Sequence, residues 1–87
     1  MEKKIKKEDL FDLDCHLAEY ILPRLVAFRK MKRTGYPADL NNKKEWDGIL
    51  DEMIYGMKDV LKGDIGANKK AQKGLEELGK HFRSLWD

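Results

Sequence analysis

"NKKEWDGILDEMIYGMKDVLKG", residues 42–63, decides the fold. Trp46, Ile49, Leu50, Met53, Ile54, Met57, Val60 and Leu61 recur at i, i+3 and i+4, a spacing that lays one apolar stripe along an α-helix. Asn42 and Glu45 have the spacing of a capping box, with Asn in place of the usual Ser or Thr. Gly63 supplies the stop. Tyr55 falls in the middle of the opposite, polar face, near Gly48 and Glu52. It reads either as a single exposed ring, which is common, or as an interface residue, because tyrosine is enriched there.

Outward toward the C-terminus, "GDIGAN" (63–68) reads as a loop by its glycines and its Asp and Asn. A further helix is predicted from about Asn68 to Leu85. Ala71, Leu75, Leu78, Phe82 and Leu85 alternate spacings of four and three, the seam of antiparallel packing. Gly74 and Gly79 flank that seam. Each costs about 1 kcal/mol relative to Ala in a helix, and either allows a close backbone approach or simply weakens the helix. Trp86 is expected on the apolar side.

Outward toward the N-terminus, the spacing predicts a helix from about Asp12 to Arg33, with Asp12 as cap and Asp14 favouring the helix dipole. Leu13, Leu17, Tyr20, Ile21, Phe28 and Met31 make one stripe, expected to face the core. Cys15, Leu22 and Val26 point to nearly the opposite side. A helix apolar over so much of its circumference is central to its fold or shared with another copy. Two partner helices do not easily cover the whole arc, so Cys15, Leu22 and Val26, together with Tyr55, are the expected interface of a homo-oligomer. Thr34–Pro37 ends this helix, with Gly35 expected in the left-handed cap.

These segments make an all-α chain, a small three-helix antiparallel bundle expected to oligomerise. Pro23 removes the hydrogen bond to the Glu19 carbonyl and is expected to kink the first helix; the alternative is that the freed carbonyl binds something. Residues 1–9, with four lysines, read as a mobile basic tail before a single helical domain over 10–87. Eighty-seven residues bury a modest core, so stability should be thin. Eighteen Lys and Arg against 16 Asp and Glu leave a net charge of +2, too balanced to declare a nucleic-acid binder. One cysteine forms no internal disulfide, which suits a reducing cytoplasm. No apolar run approaches the roughly 18 residues of a membrane span, and no apolar signal core follows the basic N-terminus.

Arg24 lies on the stripe of Leu13, Leu17 and Phe28, and a buried guanidinium needs a partner. Asp47 and Asp51, one turn apart at the flank of the second helix, are the expected partners; otherwise Arg24 faces an anionic ligand in a cavity. "FRKMKRTGYP" (28–37) groups Arg29, Lys30, Lys32, Arg33 and Tyr36 at a helix end. Its plain reading is a solvated end that suits the dipole. Its sharper reading is an anion or nucleotide site formed by Arg24, Arg29, Lys32, Arg33 and Tyr36, with the tyrosine as stacking partner. His16 and His81 lack a metal-binding pattern, and Glu77 precedes His81 by four residues rather than the three of a di-iron bundle motif. Cys15 and His16 diverge on a helix. No metal, no cofactor and no enzymatic activity are therefore expected.

"DLDCHLAEYILPRLVAFR", "GYP", "EWDGILDEMIYGM" and "KGLEELGKHFRSLWD" together resemble a group of small uncharacterised proteins encoded by tailed bacteriophages. The match covers about residues 12–60 and 71–87. Its most specific parts are Leu22–Leu25, Trp46–Met53 and the closing Leu85-Trp86-Asp87. The resemblance brings no activity and no functional residue. It implies a phage product in the cytoplasm of the bacterial host, and small phage accessory proteins often act by binding host components. The expected function is a non-enzymatic anti-defence protein that sequesters a host nucleotide signal or inhibits a host protein. The alternatives are a nucleic-acid-binding accessory protein of replication or regulation, and a structural or assembly protein.

Overall fold

The computed structural model describes residues 5–63 and 68–86. These residues form α1 (Leu13–Lys30), α2 (Lys43–Lys62) and α3 (Lys69–Lys80), with 3-10 turns at Lys7–Leu10 and Phe82–Ser84 and no strand among them. The Lys7–Leu10 turn occupies part of what the sequence suggested as a tail; residues 1–4 of that tail and 64–67 of the expected loop lie outside the described residues.

α2 is the spine. Asn42 caps it, its Oδ1 accepting from the Glu45 N–H at 2.9 Å. The Glu45 carboxylate reaches back one residue further than a capping box requires, to the backbone N–H and the amide of Asn41. Gly63 ends the helix at φ 80°, where a residue with a Cβ is disfavoured. Along the predicted stripe Trp46, Leu50, Met53 and Met57 are buried, with Ile49, Ile54 and Val60 partly buried around them.

α1 and α3 each pack against α2, and both run antiparallel to it. Cys15, near the start of α1, lies beside Val60 near the end of α2, while Arg29 at the far end of α1 pairs with Asp47 and Asp51. Across the other side of α2, Tyr55 meets Asn68, Glu52 meets Lys73 and Trp46 meets His81. The result is a slab with extents of 43 × 38 × 20 Å.

Where α2 and α3 come closest, at Gly56 and Gly74, backbone meets backbone. A Cβ on Gly74 would collide with the Glu52 carbonyl, and one on Gly56 would sit 3.0 Å from the Ala71 carbonyl oxygen. Gly74 therefore provides the close approach its sequence allowed, whereas Gly79 faces open space. The polar face of α2 that holds Tyr55 and Glu52 is in fact the face that receives α3. α3 is shorter than expected. It is capped by Asn68, whose Oδ1 accepts from the Lys70 and Ala71 N–H groups, and it gives way after Lys80 to the turn at Phe82–Ser84.

α1 departs most from its sequence reading. It stops at Lys30, three residues early, with Met31 extended; Gly35 is not left-handed. Asp12 holds the N-cap position at φ 49° but makes no side-chain cap; its carbonyl accepts from the Cys15 and His16 N–H groups instead. The helix is also turned about its axis. Ala18 and Leu25 are its buried residues, and Cys15, Leu22 and Val26, expected on an outer interface, are partly buried, with Leu22 packed on the core. Leu13, Leu17, Tyr20 and Met31, expected inside, are exposed. On a helix apolar almost all round, periodicity does not fix rotation. Presenting the small Ala18 lets the backbones come close, and the same rotation carries Arg29 to the aspartates of α2.

Gly74→Ala is expected to destabilise the protein by about 3 kcal/mol, the upper end of the overpacking range, because the obstacle is backbone. Gly48→Ala, mid-helix in open space, is expected to stabilise it by up to about 1 kcal/mol. Urea midpoints of the two variants against the parent check both signs.

Candidate functional site

The five residues grouped by the sequence as an anion site do not converge. Arg24 is exposed. Its guanidinium carbon lies 3.7 Å from the centroid of the Tyr20 ring, and Nη1 donates to the Tyr20 carbonyl at 2.9 Å. The expected pairing of Arg24 with Asp47 or Asp51 is not made. Arg29 and Arg33 take those aspartates. Arg29 Nε donates to Asp51 Oδ1 at 3.0 Å, and its Nη1 lies 3.7 Å from Asp47 Oδ2. The bond to Asp51 holds the Arg29 pKa above its ordinary value, so the charge is fixed. Arg33 is buried with its Nη2 on Asp47 Oδ1 and its guanidinium 5.5 Å from the centroid of the Phe28 ring; its Nε and Nη1 have no hydrogen-bond acceptor among the described residues. Lys32 is exposed, and Tyr36 lies elsewhere, on a cleft.

The chain around Thr34–Ala38 crosses the end of the slab where α2 begins and α3 finishes. There it forms a cleft of about 340 Å³ lined by Tyr36 and Pro37 from this segment, by Trp46 of α2, and by Ser84 and Trp86 from the end of the chain. Trp46 is buried and held edge-on by the His81 ring, with centroids 5.7 Å apart. Tyr36 and Trp86 are exposed, Trp86 to 77%. Two exposed aromatic rings beside the buried Trp46 suit a flat ring or an apolar side chain. In the sequence, Trp46 and Trp86 read only as apolar residues. The signal that could have joined them is the antiparallel register, which puts the start of α2 level with the end of α3.

His81 is buried, with Nε2 3.6 Å from the Glu77 carboxylate and no hydrogen bond to it. Cys15 is partly buried. Its thiol pKa is pushed up, first by desolvation and then by the carboxylates of Asp14, Asp12 and Glu19, which disfavours a thiolate nucleophile. Tyr55 is not a free surface ring: its hydroxyl accepts from the Asn68 amide at 2.8 Å and Lys70 lies over its face. Among the described residues no group of three or more His, Cys, Asp and Glu side chains could hold a metal ion, and no helix is long and apolar enough to cross a membrane.

These features define a small helical bundle with an aromatic cleft at one end. No protein-family model matches the chain, and no curated protein or solved structure matches it.

Removing Asp47 strands a buried guanidinium, so Asp47→Ala is expected to cost about 3–5 kcal/mol. Arg33→Met should cost less, because Asp47 keeps Arg29. Arg24→Met should stay within about 0.5 kcal/mol of the parent, as for other exposed positions. Equilibrium unfolding in urea orders the three; a larger cost for Arg24→Met than for Asp47→Ala would contradict the pairing described.

Proposed function

We propose that the protein is a non-enzymatic binding protein, encoded by a tailed bacteriophage, that takes a flat-ring ligand into the cleft of Tyr36, Trp46 and Trp86. The most concrete form is an anti-defence protein that sequesters a host nucleotide signal in the bacterial cytoplasm. The observation that carries this reading is the aromatic lining of one cleft of about 340 Å³, a volume within the range of small-ligand sites. The sequence resemblance supplies the phage context.

The charges bear on how such a ligand is held. Arg29 and Arg33 are already neutralised by Asp51 and Asp47. Recognition therefore rests on stacking rather than on phosphate contacts, and affinity should vary little with salt. The same observation favours a second reading within the class, inhibition of a host protein, because a proline or aromatic side chain fills such a cleft as well as a nucleobase does.

The test is tryptophan fluorescence and calorimetry with a panel of mononucleotides and cyclic dinucleotides. Binding is expected, with Trp86→Ala and Tyr36→Ala each weakening it by about 1–3 kcal/mol, the value of one stacked ring. A flat titration across the panel overturns the nucleotide reading. Quenching by proline- or aromatic-containing peptides instead, lost in Trp86→Ala, supports the second.

A further inference from the structure

The rotation of α1 leaves a row of large side chains without a cover. Leu13, Leu17, Tyr20 and Arg24 follow one another at four- and three-residue spacing and therefore share one exposed flank of the helix, with exposed Met31 just past its end and partly buried Phe28 at the edge of the row. Leu17 is 53% exposed and Tyr20 62%. Behind this flank lies a second hollow of about 310 Å³, closed on its far side by Leu78, Phe82 and Leu85 from α3 and the segment after it. Phe82 is 61% exposed. Together these side chains leave on the order of 500 Å² of surface per copy, a large part of the roughly 800 Å² each partner contributes to a standard interface.

Charge along α1 identifies the occupant. Asp12, Asp14 and Glu19 lie in its N-terminal half, and Arg24, Lys30 and Lys32 at or beyond its C-terminal half, while Arg29 is turned to α2 and taken by Asp51. The helix dipole has the opposite sense, positive at the N-terminus. Two α1 helices laid antiparallel bring each acidic end level with a basic end and oppose their dipoles; two laid parallel set like charges side by side. The surface is thus complementary to itself in one orientation only, which is what a two-fold contact requires.

We infer that two copies of this chain dock through the exposed flank of α1, antiparallel about a two-fold axis near Leu22. In that register Leu13 lies level with Met31 of the partner subunit, and Tyr20 level with the partner subunit's Arg24. Arg24, held on its own Tyr20 by a contact in water, stands where it can stack on the second copy's ring as well. The expected self-association is kept, but it moves from the flank of Cys15, Leu22 and Val26, which the fold itself uses, to the flank opposite. The inference does not rest on the cleft of Tyr36 and Trp86.

Sedimentation of the full chain at tens of micromolar is expected to give a dimer, and Leu17→Glu to weaken it at least about tenfold, a loss of 1.4 kcal/mol or more. The register has its own test in variants altered only at exposed positions, in a Cys15→Ser background. Leu13→Cys mixed with Met31→Cys should oxidise to a mixed dimer, because antiparallel pairing brings those positions together. Leu13→Cys alone should not, since its two copies would lie about 27 Å apart along the helices. A monomer at these concentrations overturns the inference, leaving the flank to a different partner. Cross-linking of Leu13→Cys to itself also overturns it, by showing parallel pairing, and so does an undiminished dimer in Leu17→Glu.

Discussion

Gly74 meets the backbone of α2 at a point with no room for a side chain, and the placement of the C-terminal third of the protein follows from that contact. With Gly56 and Ala71 it lets α3 approach α2 closely. The approach costs helix propensity at two glycines, a loss of about 1 kcal/mol each relative to Ala. In return the antiparallel register is fixed to within a residue, since sliding α3 by one position would drive a Cβ into a carbonyl. That register sets His81 against Trp46, seats Asn68 on Tyr55, and leaves Leu78, Phe82 and Leu85 beside α1.

A second constraint ties the other half. Asp47 accepts from Arg33 and forms an ion pair with Arg29, so one carboxylate on α2 holds the end of α1 and the chain that leaves it. Among the described residues the buried Arg33 guanidinium is incompletely satisfied by acceptors, and the Phe28 face takes part of that load. The cleft begins at the next residue, Thr34. The geometry of Tyr36 is thereby linked to an ion pair it does not touch.

The stripe of α2, its Asn42 cap and its Gly63 stop were legible because they rest on local spacing and backbone chemistry. Asp47 and Asp51 were legible as acceptors at the flank of α2's apolar face, but the arginine expected to reach them, Arg24, is exposed and sits on Tyr20 instead. Which arginine serves was not legible. Arg24, Arg29 and Arg33 are spaced five and four residues apart, and choosing among them needs the rotation of α1 and the place where it ends. The candidate site was legible only in Tyr36; Trp46 and Trp86 are 40 positions apart and meet only once α3 has folded back along α2.

The sequence by itself determined three helices, their order and the seam of the middle one, because hydrophobic period, caps and glycines act within a turn or two of the chain. Tertiary structure alone decided which face of α1 is inside, which arginines pair with aspartates, and which rings share a cleft. The physical reason is the same in each case. α1 is apolar nearly all round, so its rotation is set by what it packs against: Ala18 and Leu25 fit α2, and Leu17 and Tyr20 are left outside.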